Sequence, residues 1–401
     1  MRSARLIPVL ASLTLLAHPA AALQLDSLLP ASIPGFNTEP SVSILTRRHP
    51  EYQNTGIQLG ALEIDPSLAF GTGYDSSPNG VATASPFVSL TPSLQVQDAA
   101  LGLGAYGSWQ TTNFTQQPSQ NASAYTLAIG EAAILPHNTI IIGLANLRSQ
   151  QTGFSLTTIN LNRPATITDT QLRARDIFTS GMFTLTPDFT AAQTSYTQGQ
   201  TLTARQLGGG ITMRFTPDAI ASLVTSLHAT SSRYNIAAEN ADDYAVLIGM
   251  ADHAENIWNF RLLAGVAARA PHIGKPRLLP IAEAAASWLP DELDSFTLSA
   301  AHEIEDPNQL DTASYTRTEL QAGWDRELRR NIILTSSAST TKADFFSAPL
   351  KETIFTASSA LVWHLNRHLK FAAAYQFNDR QANILRAANE HVLTFTLTWM
   401  P

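Results

Sequence analysis

The sequence predicts an all-β protein, a transmembrane antiparallel up-and-down β-barrel of about 18 strands with 16 as the next count. Three observations predict it. Apolar residues recur with a period of two along most of the chain, which is the strand signature. Charged residues fill only 14% of the 401 positions, against roughly 25% in an ordinary soluble domain. Mean hydropathy nonetheless lies close to zero, and past the first ~20 residues no stretch holds the ~18 near-continuous apolar residues of a spanning helix. The 21 Gly and 22 Pro are scattered along the chain, which excludes a long coiled coil or helical solenoid.

The N-terminus reads as a secretory leader over residues 1–22. Arg2 and Arg5 form a basic region, Leu6 to Leu16 an apolar one, and Ala20-Ala21-Ala22 a small-residue cleavage site. Residues 23–55, rich in Pro and polar groups, read as a periplasmic tail or an inserted plug, and Arg47 and Arg48 beside Pro50 are placed to latch it to the barrel mouth. Residues 56–401 form the barrel. Removing the leader takes two arginines and leaves 23 basic against 32 acidic residues, a net charge of −9. That balance argues against nucleic acid as a partner. With no cysteine in the chain, no disulfide framework holds an exported fold.

The strands follow in order. Leu62, Ile64, Pro66, Leu68, Phe70 and Tyr74 share one face, with Glu63, Asp65, Ser67, Gly71 and Gly73 on the other. Val88, Leu90, Leu94 and Val96 alternate with Ser89, Thr91, Ser93 and Gln95. Trp258, Phe260, Leu262 and Val266 oppose Asn259 and Arg261, and Phe296, Leu298 and Ala300 oppose Thr297 and Ser299. The last run, Leu393, Phe395, Leu397 and Trp399 against Thr394, Thr396 and Thr398, carries the pattern most clearly.

Spacing turns strands into a barrel. Short polar turns are predicted at Gln97-Asp98, Pro136-His137-Asn138, Thr186-Pro187-Asp188, Thr216-Pro217-Asp218, Ala254-Glu255-Asn256, Pro290-Asp291, Arg329-Arg330-Asn331 and Asn366-Arg367-His368. Longer polar connections fall at 116–122, about 150–168, 234–242, 271–277, 306–313, 346–350 and 381–389. Turns at one end and loops at the other are what a membrane barrel shows. Eight turns join sixteen strands, and the first and last add two. The stretch 150–180 reads equally as one long loop or as an extra hairpin.

In such a barrel the polar face lines the lumen. The inward candidates are Glu63, Asp65, Arg261, Arg269, Glu283, Glu303, Arg317, Glu319, Asp325 and Lys370, charges that tune which solutes pass or pair into a plug. Trp109, Trp258, Trp288, Trp324, Trp363 and Trp399 sit on the apolar face, for the most part close to turns, as membrane-interface aromatics do. The same alternation also suits a secreted β-sandwich or solenoid with a shared core.

No catalytic constellation stands out. The chain lacks H-E-x-x-H, P-loop and G-x-S-x-G signatures, so no catalytic residue, metal or cofactor is expected. His253, His302 and His364 have serines nearby, but no spacing singles out a nucleophile. His302-Glu303 are neighbours on a strand and point to opposite faces. Asp242-Asp243 and Glu305-Asp306 read as solvated loop acids in preference to a cation site.

Several segments resemble a known family. Arg47-Arg48-His49-Pro50-Glu51-Tyr52, Gly56-Ile57-Gln58-Leu59-Gly60, Pro66-Ser67-Leu68 and Tyr74-Asp75-Ser76 resemble the opening of the putative beta-barrel porin 2 family, with Ser77 where that family has asparagine. Pro280-Ile281-Ala282-Glu283 through Trp288 and Pro290, Trp324 to Asn331, and Leu365-Asn366-Arg367 resemble it further. The resemblance runs over about 45–401, with a poor fit between about 150 and 240. It implies an outer-membrane barrel of a Gram-negative bacterium, often encoded beside exopolysaccharide genes. Leu393, Phe395, Leu397 and Trp399 resemble the C-terminal strand that barrel-assembly machinery reads, although Met400-Pro401 follow.

The expected function is a non-enzymatic barrel, set in outer-membrane lipid, that passes or helps export a polar solute, with exopolysaccharide as the implied cargo. A plugged structural barrel that anchors a surface or secretion partner is the second reading.

Overall fold

A computed structural model of the chain describes residues 29–30, 32–36, 44–46, 51–52, 54–80, 83–150, 152–156, 166–198, 200–217, 221–252, 257–306, 314–346, 350–383 and 387–401. The leader 1–22 and the latch residues Arg47, Arg48 and Pro50 lie outside them.

A short strand, β1 (Ile57–Leu59), precedes eighteen long ones. These are β2 (Leu62–Asp75), β3 (Ser85–Asp98), β4 (Leu103–Phe114), β5 (Ala122–Ile134), β6 (Asn138–Gln150), β7 (Thr166–Ser180), β8 (Phe183–Gln198), β9 (Gln200–Phe215) and β10 (Ala221–Tyr234). They continue as β11 (Ala241–Asp252), β12 (Trp258–Pro271), β13 (Arg277–Trp288), β14 (Asp294–Glu305), β15 (Tyr315–Arg329), β16 (Ile332–Phe345), β17 (Lys351–His364), β18 (Leu369–Ala382) and β19 (Ala388–Trp399). From β2 onward each pairs antiparallel with the next, and β19 returns to β2 from Val392↔Asp75 to Trp399↔Leu68. The sheet closes on itself. That ring of 18 excludes the sandwich and the solenoid, because neither leaves a single sheet without a free edge.

The seam has a patch. On its closing edge β19 reaches no further than Leu68, while β3 pairs the opposite edge of β2 from Leu62 to Asp75. The residues Leu62–Ile64 therefore project beyond the last strand, and β1 folds back to pair with them. Gly60 makes this hairpin with a φ of 67°, a left-handed conformation that glycine adopts without steric cost. β1 thus continues the ladder where the C-terminal strand stops. Beyond Trp399, Met400 donates its backbone N–H to the His368 carbonyl at 2.8 Å, which ties the two final residues to the β17–β18 turn.

One predicted turn is displaced. Thr186-Pro187-Asp188 lies inside β8, and the β7–β8 turn is made by Gly181-Met182, with Gly181 at φ 59°. Pro187 lacks an N–H, so the ladder skips from Arg175↔Asp188 to Phe178↔Leu185 while the register is kept. Past the end of β6, the described residues of the stretch 150–180 hold one strand, β7, and no extra hairpin. Between β8 and β9 only residue 199 intervenes, so one of the connections at the loop end is short.

Outward positions form the apolar belt. Phe70, Ile129, Ile248, Leu262, Leu298 and Phe395 are all exposed, and an apolar row on that face is stable only against lipid. At the short-turn rim, Trp258 and Trp288 stack at 5.1 Å, Trp288 and Phe296 at 5.3 Å, and Phe296 and Trp324 at 6.3 Å. Trp363 and Trp399 stand at the same rim, near the ends of β17 and β19. Trp109 does not: it lies midway along β4, where its indole N–H donates to the Ser123 hydroxyl at 2.9 Å. Its indole reaches instead towards the long-loop end, where Ser123 is the second residue of β5.

Candidate functional site in the barrel lumen

A ring of 18 strands is wide enough to hold a channel, so what occupies its interior decides what it can do. At the short-turn end the interior carries a floor made by the chain's own N-terminal segment. Ile33 and Phe36 are almost wholly buried, and with Leu29 they form an apolar cluster with Ala128, Ala145 and Leu147 of β5 and β6.

Three glycines make room for that segment. Gly104 of β4 stands opposite Gly130 of β5, and Gly130 stands opposite Gly143 of β6. Together they form a row without side chains on the inward face. A Cβ at Gly104 would meet the Pro34 ring at 3.0 Å, one at Gly143 would meet the Phe36 ring at 2.6 Å, and one at Gly130 would overlap the Pro34 carbonyl oxygen. Glycine costs a strand roughly 0.5–1 kcal/mol relative to alanine, and here the close approach of a second backbone explains its presence. Opposite Gly143 in the register, Arg173 of β7 lays its guanidinium 5.0 Å from the Phe36 ring centre, a cation–π contact.

The facing wall holds the next described residues. Ile44 is fully buried, and its N–H donates to the Ser295 hydroxyl of β14 at 3.2 Å. β14 lies eight strands from β6 in a ring of eighteen, so Phe36 and Ile44 rest on opposite sides of the barrel. Residues 32–36 and Ile44 are thus inside the ring, whereas Glu51 stands at the short-turn rim, against Arg330 and Arg367 of two turns.

Towards the long-loop end, charge is concentrated and paired. Arg269 of β12, 4% exposed at its side chain, holds Asp243 of β11 at 2.6 Å and Asp306, just past β14, at 2.5 Å. Asp306 also accepts from Ser232 of β10 at 2.7 Å and Gln206 of β9 at 2.8 Å. Burial pushes the Asp306 carboxyl up, but Arg269 and these donors outweigh it and hold the group below the ordinary aspartate value. Farther round, Arg380 of β18 pairs with Glu352 of β17 at 2.5 Å, both excluded from solvent. The Arg380 guanidinium also donates to the Gly153 carbonyl at 3.0 Å.

That last contact holds residues 152–156, just past β6, over the lumen. The Gly153 N–H donates to the Asn79 side-chain oxygen at 3.3 Å, and the Asn79 amide donates to Gln120 at 2.7 Å. The Asn79 backbone N–H donates to Glu390 of β19 at 3.0 Å. Asn79 has φ 54°, the one positive value outside glycine among the described residues, and asparagine tolerates it better than most side chains.

Between this roof and the floor lies a chamber of about 560 Å³. Tyr106 and Leu147, which belong to or pack on the floor cluster, form its base. Ser108, Gln110, Gln376 and Asn378 are among its walls, and Asn79, Gln120 and Phe154 close it above.

The ten charged positions singled out in the sequence all fall on the inward register of their strands. Seven join clusters. Arg261 meets Glu283 at 3.3 Å, and Arg317 meets Glu303 at 2.9 Å, Glu305 at 3.8 Å and also Glu319. Arg269 centres the acid pair described above. Asp325 accepts from Ser295, the hydroxyl that also receives Ile44. Asp65 lies beside Gly56 at the β1 seam, and Glu63 and Lys370 stand apart from the clusters. Of the acids expected to be solvated, only Asp242 keeps part of that exposure, beside Arg233, while Glu305 is 1% exposed on the inward register of β14 and Asp243 and Asp306 are held by Arg269. Of the histidines, His302 contacts the Thr318 hydroxyl at 2.8 Å, and His253 lies outside the described residues. Among the described residues no group of three or more acids and histidines is arranged to hold a metal ion.

Residues 278–398 match the family model described as Putative beta-barrel porin 2. This is the part of the chain that holds β13 to β18 and nearly all of β19. The opening motif at 47–76 lies outside the matched range. No curated protein matches the chain. Among solved structures, the chain is similar to OccK2 (OpdF) of Pseudomonas aeruginosa in complex with glucuronate, at 12% identity over 84% of this chain and 98% of that one, TM-score 0.47. It is also similar to OpdK of the same organism with vanillate, at 9% identity over 84% and 99%, TM-score 0.46. A third is the siderophore receptor PirA of that organism, at 10% identity over 84% and 80%, TM-score 0.44.

Proposed function

We propose that the chain is a porin-like conduit for polar solutes in the outer membrane of a Gram-negative bacterium, closed in this conformation by its own N-terminal segment. The observation that carries the reading is the seating of Ser32–Phe36 on the Gly104–Gly130–Gly143 row, inside a ring whose inward face also carries paired charges and hydroxyls. A structural staple would be served better by ordinary side-chain packing. A row of bare backbone fits a segment that docks and leaves. The partners are then outer-membrane lipid around the belt, barrel-assembly machinery during insertion, and a polar solute within. The family resemblance points to exopolysaccharide as the exported cargo. The protein acts without enzymatic chemistry.

Planar-bilayer recordings test this. The chain without its leader is expected to conduct weakly or in brief openings, and the chain further shortened to begin near residue 51 to conduct in larger, longer steps. If neither conducts, the conduit is wrong. The second reading, a plugged barrel that anchors a partner, is favoured by the buried Arg269–Asp306 and Arg380–Glu352 pairs at the loop end, and that result would select it. For the cargo, loss of extracellular polysaccharide on removal of the gene is expected, and unchanged polysaccharide would leave a conduit for some other solute.

A further inference from the structure

The chamber between floor and roof has a distinctive chemistry. Of the residues that line it, two are acids, Asp75 and Glu390, and none is lysine, arginine or histidine. The nearest arginine, Arg380, braces the roof at the Gly153 carbonyl and is itself paired with Glu352. What the walls offer instead are hydroxyls and amides, among them Ser108, Thr112, Gln110 and Gln376, with the rings of Tyr106 and Phe154 below and above. Hydroxyl and amide groups both donate and accept, so they satisfy a ligand that carries many hydroxyls of its own. Aromatic rings supply flat apolar surface for the C–H face of such a ligand. Its volume of about 560 Å³ falls within the range of small-molecule sites.

We propose that this chamber binds an uncharged, hydroxyl-rich solute of one or two sugar rings, and that the negative charge shared by its Asp75–Glu390 pair turns anionic solutes away. The site rests on the reading of the lumen as a path for polar solutes and specifies which of them the path admits. An anion entering the chamber would face the negative charge that the hydrogen-bonded Asp75 and Glu390 carry between them, with no cation among the lining residues to offset it, and partial enclosure weakens the solvent screening that would otherwise soften the repulsion. An uncharged solute meets no such barrier. The roof belongs to the same device: Glu390 accepts from the backbone of Asn79, so the acid that sets the charge of the chamber also holds its cover.

Isothermal titration calorimetry on the folded, detergent-solubilised chain tests the site without reference to conductance. Cellobiose and glucuronate serve as the probes. Saturable heat is expected with cellobiose, and binding at least about tenfold weaker with glucuronate. Ser108→Leu, which places bulk in the chamber, is expected to abolish the cellobiose signal. The paired change Asp75→Asn with Glu390→Gln keeps shape and acceptors, removes the charge, and is expected to bring glucuronate to within about threefold of cellobiose. Heat-modifiable gel migration checks that each variant is folded, and the paired variant decides the matter if Ser108→Leu does not fold. Folded wild-type protein that binds neither probe, or that binds both equally, would overturn the proposal. Conductance without cellobiose binding would overturn the site and leave the conduit. Binding by a barrel that never conducts would overturn the conduit and leave a solute-binding barrel.

Discussion

Gly130 of β5 stands directly across from Gly143 of β6, and the space their missing side chains leave is filled by the carbonyl of Pro34 and the ring of Phe36. A cross-strand glycine pair wastes the packing that normally stabilises a sheet. Its use here is to admit a second backbone.

Restoring a side chain should therefore unseat the segment and spare the ring. Gly143→Val is expected to raise open-channel conductance and to expose the 29–36 region to added protease. Gly209→Val, on the outward face of β9, is the matched control and should change neither. Equal behaviour of the two variants would remove the docking role of the row.

Asp306→Asn breaks a buried pair and leaves Arg269 with Asp243 alone. Removal of one partner from such a pair costs about 3–5 kcal/mol. The carboxyl is held below its ordinary value, so its contribution is present above the unfolded aspartate value of about 4 and fades as pH falls through the lower folded value. The stability gap between wild type and variant, read as the unfolding midpoint in denaturant, should be full at pH 7 and shrink below about pH 4. A gap independent of pH would mean that the pair is not what the substitution removes.

Ile248 projects from the middle of β11 on the exposed face. An arginine at the bilayer midplane of a barrel costs roughly 2–4 kcal/mol. Ile248→Arg is expected to lower folding stability in lipid vesicles by that amount, while Ser226→Thr on the inward face of β10 changes it little. A tolerated arginine would show that this face does not meet hydrocarbon.

Trp288 lies between Trp258 and Phe296 in the rim stack. Each aromatic contact is worth about 0.5–1.5 kcal/mol beyond area, so Trp288→Ala should lower the temperature at which the folded gel band disappears. Trp109→Ala, which removes an indole outside the stack, should lower it less. The reverse order would place the membrane interface elsewhere.

Much of the barrel was legible because alternation is a local property. Whether Leu262 and Val266 face the same way follows from strand geometry alone, and so does the inward register of Arg261 and Arg269. The turn between β7 and β8 was not, because Thr186-Pro187-Asp188 carries a strong turn composition. The decisive residue was Gly181, whose left-handed backbone leaves no such mark.

The sequence by itself determined strands with one apolar and one mainly polar face and the spacing of most of their turns, since both are local properties; that the sheet closes into a ring was decided by the pairing of β19 with β2. The tertiary structure alone decided what occupies the lumen. Gly104, Gly130 and Gly143 are separated by 25 and 12 intervening residues and become a row only through strand register, while Asp306, just past β14, meets Gln206 of β9 across a hundred positions. Those contacts are long-range. No pattern along the chain encodes them, and they settle whether the interior is an empty pore or a chamber with a floor and a roof.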